Sequence, residues 1–248
     1  MASYFESVND ALTVQINDDF TNYALWKKGK VASEGGPASI TRMFYFEFDL
    51  PASGGLPIIV FDTTPGSGVT VLSQSFKLGR AHVVAYSTNL APTDSLTYYV
   101  YLSASEPEVS VSAKGLFTLW NAEGRVAFDS EANYLKVLDS ITHHWQAAPL
   151  SRSYPVKKVG VVSSRPQWFV NTADSPGGWR QFAGCQVITG VGGSPNSITV
   201  GYHVLRYTTV GNQWPDPSDS GNQRRSQTMT ALICDISNLD DLPYDLIS

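Results

Sequence analysis

Residues 117–134 repeat residues 5–23, and this self-similarity constrains the chain more than any other feature. The first copy runs from Phe5 to Asn17 and on to Asn22-Tyr23; the second runs from Phe117 to Asp129 and on to Asn133-Tyr134. At an offset of 112, Phe5 aligns with Phe117, Val8 with Trp120, Asn9 with Asn121, Val14 with Val126, Ile16 with Phe128 and Asn17 with Asp129. One deletion later the offset is 111, and Asn22-Tyr23 meets Asn133-Tyr134. In the second copy a strand ends at Asn121, whose short amide starts a turn. Gly124 supplies a positive φ without steric cost, and Arg125 to Phe128 forms the return strand of a hairpin. The first copy has Leu12 at the glycine position, so its turn differs. Two such hairpins predict two similar domains, 1–112 and 113–248, with the seam near Glu106 to Lys114.

The hydrophobic period elsewhere is two. In Ile40 to Leu50 the residues Phe44, Phe46, Phe48 and Leu50 share one face, and Tyr45, Glu47 and Asp49 the other. Ser197 to Val204 repeats the pattern with Ile198, Val200, Tyr202 and Val204 inward. Leu96 to Leu102 and Thr228 to Ile236 are β-branched and aromatic runs of strand length. Turn formers separate the runs, as at Gly-Gly-Pro 35–37, Pro-Gly-Ser-Gly 65–68 and Gly-Gly-Ser-Pro 192–195. No window of about 11 residues carries a helical stripe. The expected fold is all-β: two tandem β-sandwich-like domains, each opened by the repeated hairpin, with a partly closed barrel as the related alternative.

Charge narrows the partners. Residues 1–112 hold 6 basic and 11 acidic side chains, and residues 113–248 hold 11 of each. Neither half has the basic stripe that phosphate neutralisation requires, so no nucleic acid is expected. No run of about 18 apolar residues offers a membrane span, and the first residues carry no leader pattern. Cys185 and Cys234 form no metal spacing and are expected as small buried hydrophobes.

Few residues suggest chemistry. His143 and His144 are adjacent, so a strand would send them to opposite faces rather than to one ion. Gly66-Ser67-Gly68 lacks the Lys-Ser/Thr of a phosphate cradle. No Gly-x-Ser-x-Gly elbow is present. Asp240, Asp241 and Asp245 read as a solvated acidic end rather than a calcium loop. Catalytic residues, cofactor and metal are therefore all expected to be none. Trp120 and Trp145, inside strand runs, are expected in the core. The sharper candidates are Trp179, Trp214, Asp216, Arg224 and Arg225, in or beside turn-rich segments, the longest being 209–225. A loop of that length usually carries function, and Trp with Asn, Asp and Arg suits a sugar or protein contact. Trp214 has a second reading, as a plug folded over its own sandwich.

The stretch Gly115-Leu-Phe-Thr-Leu-Trp-Asn-Ala-Glu-Gly-Arg-Val-Ala-Phe-Asp-Ser130, followed by Tyr134-Leu-Lys-Val-Leu-Asp139, resembles a pattern in small tail-fibre and tail-tip proteins of long-tailed bacteriophages. Those proteins open with Gly-Leu-x-x-x-Asn-x-x-Gly-x-x-x-Phe-Asp-Ser and close with a strand to which Ala231 to Ile236 is similar. The resemblance implies a structural, non-enzymatic component of a phage tail tip, made in the host bacterial cytoplasm and placed at the distal tail of the virion. It implies other tail proteins as partners, with a host-surface receptor or glycan as a further one, and brings no catalytic set. A carbohydrate-binding module without a virion role is the alternative. With only 16% charged residues, against about 25% in an average domain, exposed apolar surface is expected to mark contacts between copies. Because tail tips are built around a symmetry axis, the resemblance implies a homotrimer.

Overall fold

The computed structural model describes residues 6–8, 14–17, 22–33, 41–62, 66–88, 95–104, 106–107, 109, 115–120, 124, 126–144, 147–165, 168–172, 179–190, 193–208, 223–224 and 228–244. Among these residues there is no α-helix. The first half supplies β1 (Glu6–Val8), β2 (Val14–Asn17), β3 (Tyr23–Ala32), β4 (Thr41–Asp49), β5 (Ile58–Asp62), β6 (Gly68–Lys77), β7 (Arg80–Thr88) and β8 (Ser95–Ser103). The second half supplies β9 (Thr118–Trp120), β10 (Val126–Asp129), β11 (Val137–His144), β12 (Leu150–Ser153), β13 (Val159–Arg165), β14 (Trp168–Thr172), β15 (Trp179–Thr189), β16 (Ser197–Thr208), β17 (Gln223–Arg224) and β18 (Thr228–Asp235).

The expected repeat of hairpins is present, β1 with β2 and β9 with β10. The other strands form two sheets. A six-stranded sheet has the order β11-β18-β13-β5-β8-β3, and an eight-stranded sheet contains β12-β16-β15-β6-β7-β4. Each half thus gives three strands to the first sheet in matching order, β3-β8-β5 and β11-β18-β13. It gives three to the second, β4-β7-β6 and β12-β16-β15. The halves meet where counterpart strands pair antiparallel, β5 with β13 at Phe61–Val161 and β6 with β15 at Val69–Val187. Antiparallel pairing of counterparts is what a two-fold axis through the sheets produces. The repeat in sequence is therefore a pseudo-dyad in space, and both sheets run unbroken from one half into the other.

The sheets pack face to face as a sandwich, with the period-two pattern deciding what lies between them. Phe44, Phe46 and Phe48 are 0%, 7% and 2% exposed, whereas Tyr45 between them is 41% exposed. Phe46 stacks on Tyr98 of the facing sheet at 4.1 Å between ring centroids. Strand β8 is apolar without alternation because it is buried on both faces. Leu96, Tyr98 and Val100 join the central core, while Tyr99 and Tyr101 join a second core on the sheet's far side. That second core forms because the six-stranded sheet curls. Leu25 N–H donates to Asn133 O and Leu135 N–H to Tyr23 O, each at 2.8 Å, around an Ala24–Tyr134 bridge. These bonds tie the start of one edge strand to the lead-in of the other. The tie pairs Tyr23 and its neighbours with their own repeat counterparts, so it too straddles the pseudo-dyad.

Candidate functional site

The hairpin that carries the tail-protein resemblance is held by its own motif residues. Asp129 is fully buried and accepts bonds from Gly115 N–H (3.0 Å), Thr118 Oγ1 (2.8 Å) and Glu131 N–H (2.9 Å). Ser130 Oγ accepts from Phe117 N–H, and Ser130 N–H donates to Phe117 O. Gly115 is required by close approach, since a Cβ there would lie 2.4 Å from Asp129 Oδ1 and 2.9 Å from Ser130 N. Gly124 has φ +73°, as its turn demands. Phe128 stacks on Tyr134 at 5.2 Å, and Asp129 N–H donates to the Tyr134 hydroxyl, which fixes the hairpin to the curled sheet. Trp120 departs from the expected core position: it is 55% exposed. The cause is that β9 and β10 form a separate two-stranded sheet. Leu116, at 102%, is fully exposed, and Phe117 is half-exposed. Trp145 lies outside the described residues.

At the acidic C-terminal end Asp240 and Asp241 are exposed, as expected, and Asp245 lies outside the described residues. The backbone there is nonetheless anchored, because residues 236–242 lie over the second core. Leu239 is 4% exposed there. Buried Lys28 Nζ donates to the carbonyls of Leu239, Asp240 and Leu242 at 2.9, 2.8 and 2.8 Å. Lys158 Nζ bridges Asp62 (2.8 Å) and Asp240 (2.7 Å). Burial raises the Asp62 carboxyl above the usual carboxylate range, with Lys158 opposing it. Burial lowers Lys158, but its bonds to Asp240 and Asp62 outweigh that, so its net shift is upward. Cys234 lies in this core as a free buried thiol, pushed up to about 12 by desolvation. Two further clusters join strands, one within a sheet and one across the two sheets. Glu47 meets Arg80 at 2.9 Å and His82 at 2.6 Å between β4 and β7. Asp139 of β11 receives Arg152 of β12 and the Tyr154 hydroxyl. His143 and His144 lie on edge strand β11, and His143 is buried with Nε2 3.1 Å from Ala148 O. Among the described residues no group of three His, Cys, Asp or Glu forms a metal site.

The remaining candidate residues lie on an extension of the eight-stranded sheet. Strand β15 pairs with β16 along its whole length, but its other edge changes partner. Val187 and Ile188 pair with β6, whereas residues 180–184 pair with β14, which in turn pairs with β17. The result is a four-stranded arm, β16-β15-β14-β17. Its register aligns Thr208 with Trp179, Arg206 with Gln181 and Asn171, and Val204 with Ala183, Phe169 and Arg224. Trp179 and Arg224 are thus four rows and two strands apart in one sheet, about 13 Å along and about 10 Å across. Segment 209–222 leaves β16 at the Trp179 end and returns at β17. Trp214, Asp216 and Arg225 lie outside the described residues. Alternation within each strand was visible, but the pairing that aligns four strands was not.

No family model, curated protein or solved structure matches the chain.

Proposed function

We propose that this chain is a non-enzymatic structural and adhesion component of the distal tail of a long-tailed bacteriophage. In this reading it assembles as a homotrimer with other tail proteins and contributes to host-surface attachment. The observation that carries the reading is the hairpin Gly115 to Ser130. Its resemblance to tail-tip proteins rests on Gly115, Gly124, Asp129 and Ser130, and these residues fix the hairpin's shape. Exposed Leu116, Phe117 and Trp120 on the hairpin fit a contact with a neighbouring tail protein. The charged clusters ties strand to strand, Glu47–Arg80, Asp62–Lys158 and Asp139–Arg152, which fits a load-carrying part. The test is the copy number and contact map of the chain in an intact particle. Three copies in mutual contact at the distal tail are expected. A particle without the chain, or one isolated copy, refutes the proposal.

A further inference from the structure

We propose that the β6–β7 turn is a docking knob: Leu78 enters an apolar socket of another tail protein, and Lys77 meets a carboxylate at the socket's rim. The inference deepens the assembly part of the proposed function and rests on it. Three features of this turn each lower the stability of the isolated chain. The first is backbone conformation. Lys77 pairs with Arg80 across a two-residue loop, Leu78-Gly79, with φ of +54° and +75°. Such a turn favours Asn-Gly, and a left-handed leucine is strained because its Cβ crowds the next carbonyl oxygen. The second is exposure. Leu78 is 101% exposed, so its side chain gains no burial in return. The third is charge. Like charges directly opposite each other on an antiparallel pair repel. Arg80 is already held by Glu47 at 2.9 Å and Asp49 at 3.3 Å. Lys77 is exposed and has no charged partner among the described residues. An apolar socket would take Leu78 out of water, and a carboxylate at its rim would answer Lys77. The tip is set in advance, since Gly79 O accepts from Leu50 N–H at 2.7 Å, so docking orders little that is loose. A lipid surface fits less well. One leucine is a weak anchor, and the Asp49 side chain, 83% exposed beside Arg80, repels anionic headgroups.

The experiment uses the full chain, purified for thermal melts and expressed in cells that assemble the particle. Leu78→Asn should raise Tm by about 2 °C or more, because asparagine tolerates the left-handed region. The same variant should enter particles about tenfold less well or worse, the loss expected from one buried leucine. Lys77→Glu should also raise Tm, by ending the repulsion with Arg80, and should also lower incorporation. A merely structural turn would move stability and incorporation in the same direction. Leu78→Met keeps the apolar tip and should be incorporated as the parent is. A benzophenone amino acid in place of Leu78 should crosslink to one other tail protein. Changing the carboxylate nearest that crosslink to lysine should restore incorporation of Lys77→Glu. An unchanged or lowered Tm for Leu78→Asn, parent-like incorporation of Leu78→Asn or Lys77→Glu, or a crosslink to a sister copy, to lipid or to nothing overturns the inference. A parent chain present in the particle without a crosslink at Leu78 overturns the docking inference alone. A parent chain missing from the particle overturns the tail reading, and the crosslink formed in those cells still decides the docking inference.

Discussion

Replacing Lys28 by Met should destabilise the protein by about 2 kcal/mol. The ammonium donates to three carbonyls of the C-terminal segment, and bonds to a charged group contribute about 1.5–3 kcal/mol each. The sum is not the expected loss. The carbonyls of Asp240 and Leu242 belong to residues that reach solvent, so water replaces the lysine there. Leu239 is 4% exposed, and its carbonyl loses its partner at a cost of about 1–3 kcal/mol. Met keeps the apolar stem and avoids burying a charge, which offsets part of the penalty. For a chain of this size, about 1 kcal/mol moves Tm by about 2–4 °C, so a fall of about 4–8 °C is expected. Carboxypeptidase digestion should also reach further into the variant, because residues 236–242 lose their anchor. Exposed Lys30→Met is the control and should stay within about 0.5 kcal/mol of the parent. A Lys28→Met melt within about 2 °C of the parent, with unchanged digestion, would refute the anchoring role.

Gly115→Ala should cost about 3 kcal/mol, because its Cβ meets the buried Asp129 that organises the hairpin. Gly124→Val should cost about 1 kcal/mol, from backbone strain alone, since no atom lies near its Cβ; paired thermal melts separate the two. Arg152 and Tyr154 hold the Asp139 carboxyl below its ordinary value despite opposing desolvation, so the stability it contributes is present above about pH 4 and lost as pH falls through the lowered value. Asp139→Asn should therefore be less stable than the parent near neutrality and converge with it in acid; a constant difference down to about pH 2 would show that the ion pair is not the source. Cys234 should resist alkylation at neutral pH in the folded chain and react once it unfolds, because burial raises its thiol to about 12. Mass spectrometry of the labelled protein reads this directly, and rapid labelling of Cys234 in the folded chain contradicts it.

Much of the sandwich was legible in the sequence because a strand with one buried face must alternate. Phe44, Phe46 and Phe48 show this, and so do Ile198 and Val200. The Gly124 turn was legible because few residues tolerate its φ. The repeat announced itself in matched residues, but not the way its two copies join. Which edges meet depends on pairing between strands about 100 residues apart, such as Phe61 with Val161, and no local pattern encodes that. Trp120 misled for a related reason: a strand run implies burial only where a second layer covers it. The Lys28 anchor was invisible because its partners are backbone carbonyls 211 to 214 positions away. Such carbonyls leave no signature in side-chain identity. Trp179 and Arg224 were visible as residue types, whereas their joining in one four-stranded arm follows only from the register.

The pseudo-dyad has a consequence for how such a chain acquires a single specialised surface. Two identical subunits joined edge to edge at β5–β13 and β6–β15 would carry every change twice, once on each side of the axis. Covalent fusion of the two removes that obligation. Each half then mutates alone while the seam goes on enforcing the common framework. The chain bears the mark of that freedom. Between β13 and β15 the second half carries β14, and between β16 and β18 it carries segment 209–222 and β17. Among the described residues, the first half has no counterpart strand between β5 and β6 or between β7 and β8. An ancestral homodimer that became one gene could therefore keep one half as scaffold and turn the other outward. Symmetry supplied the framework, and its breaking supplied a direction.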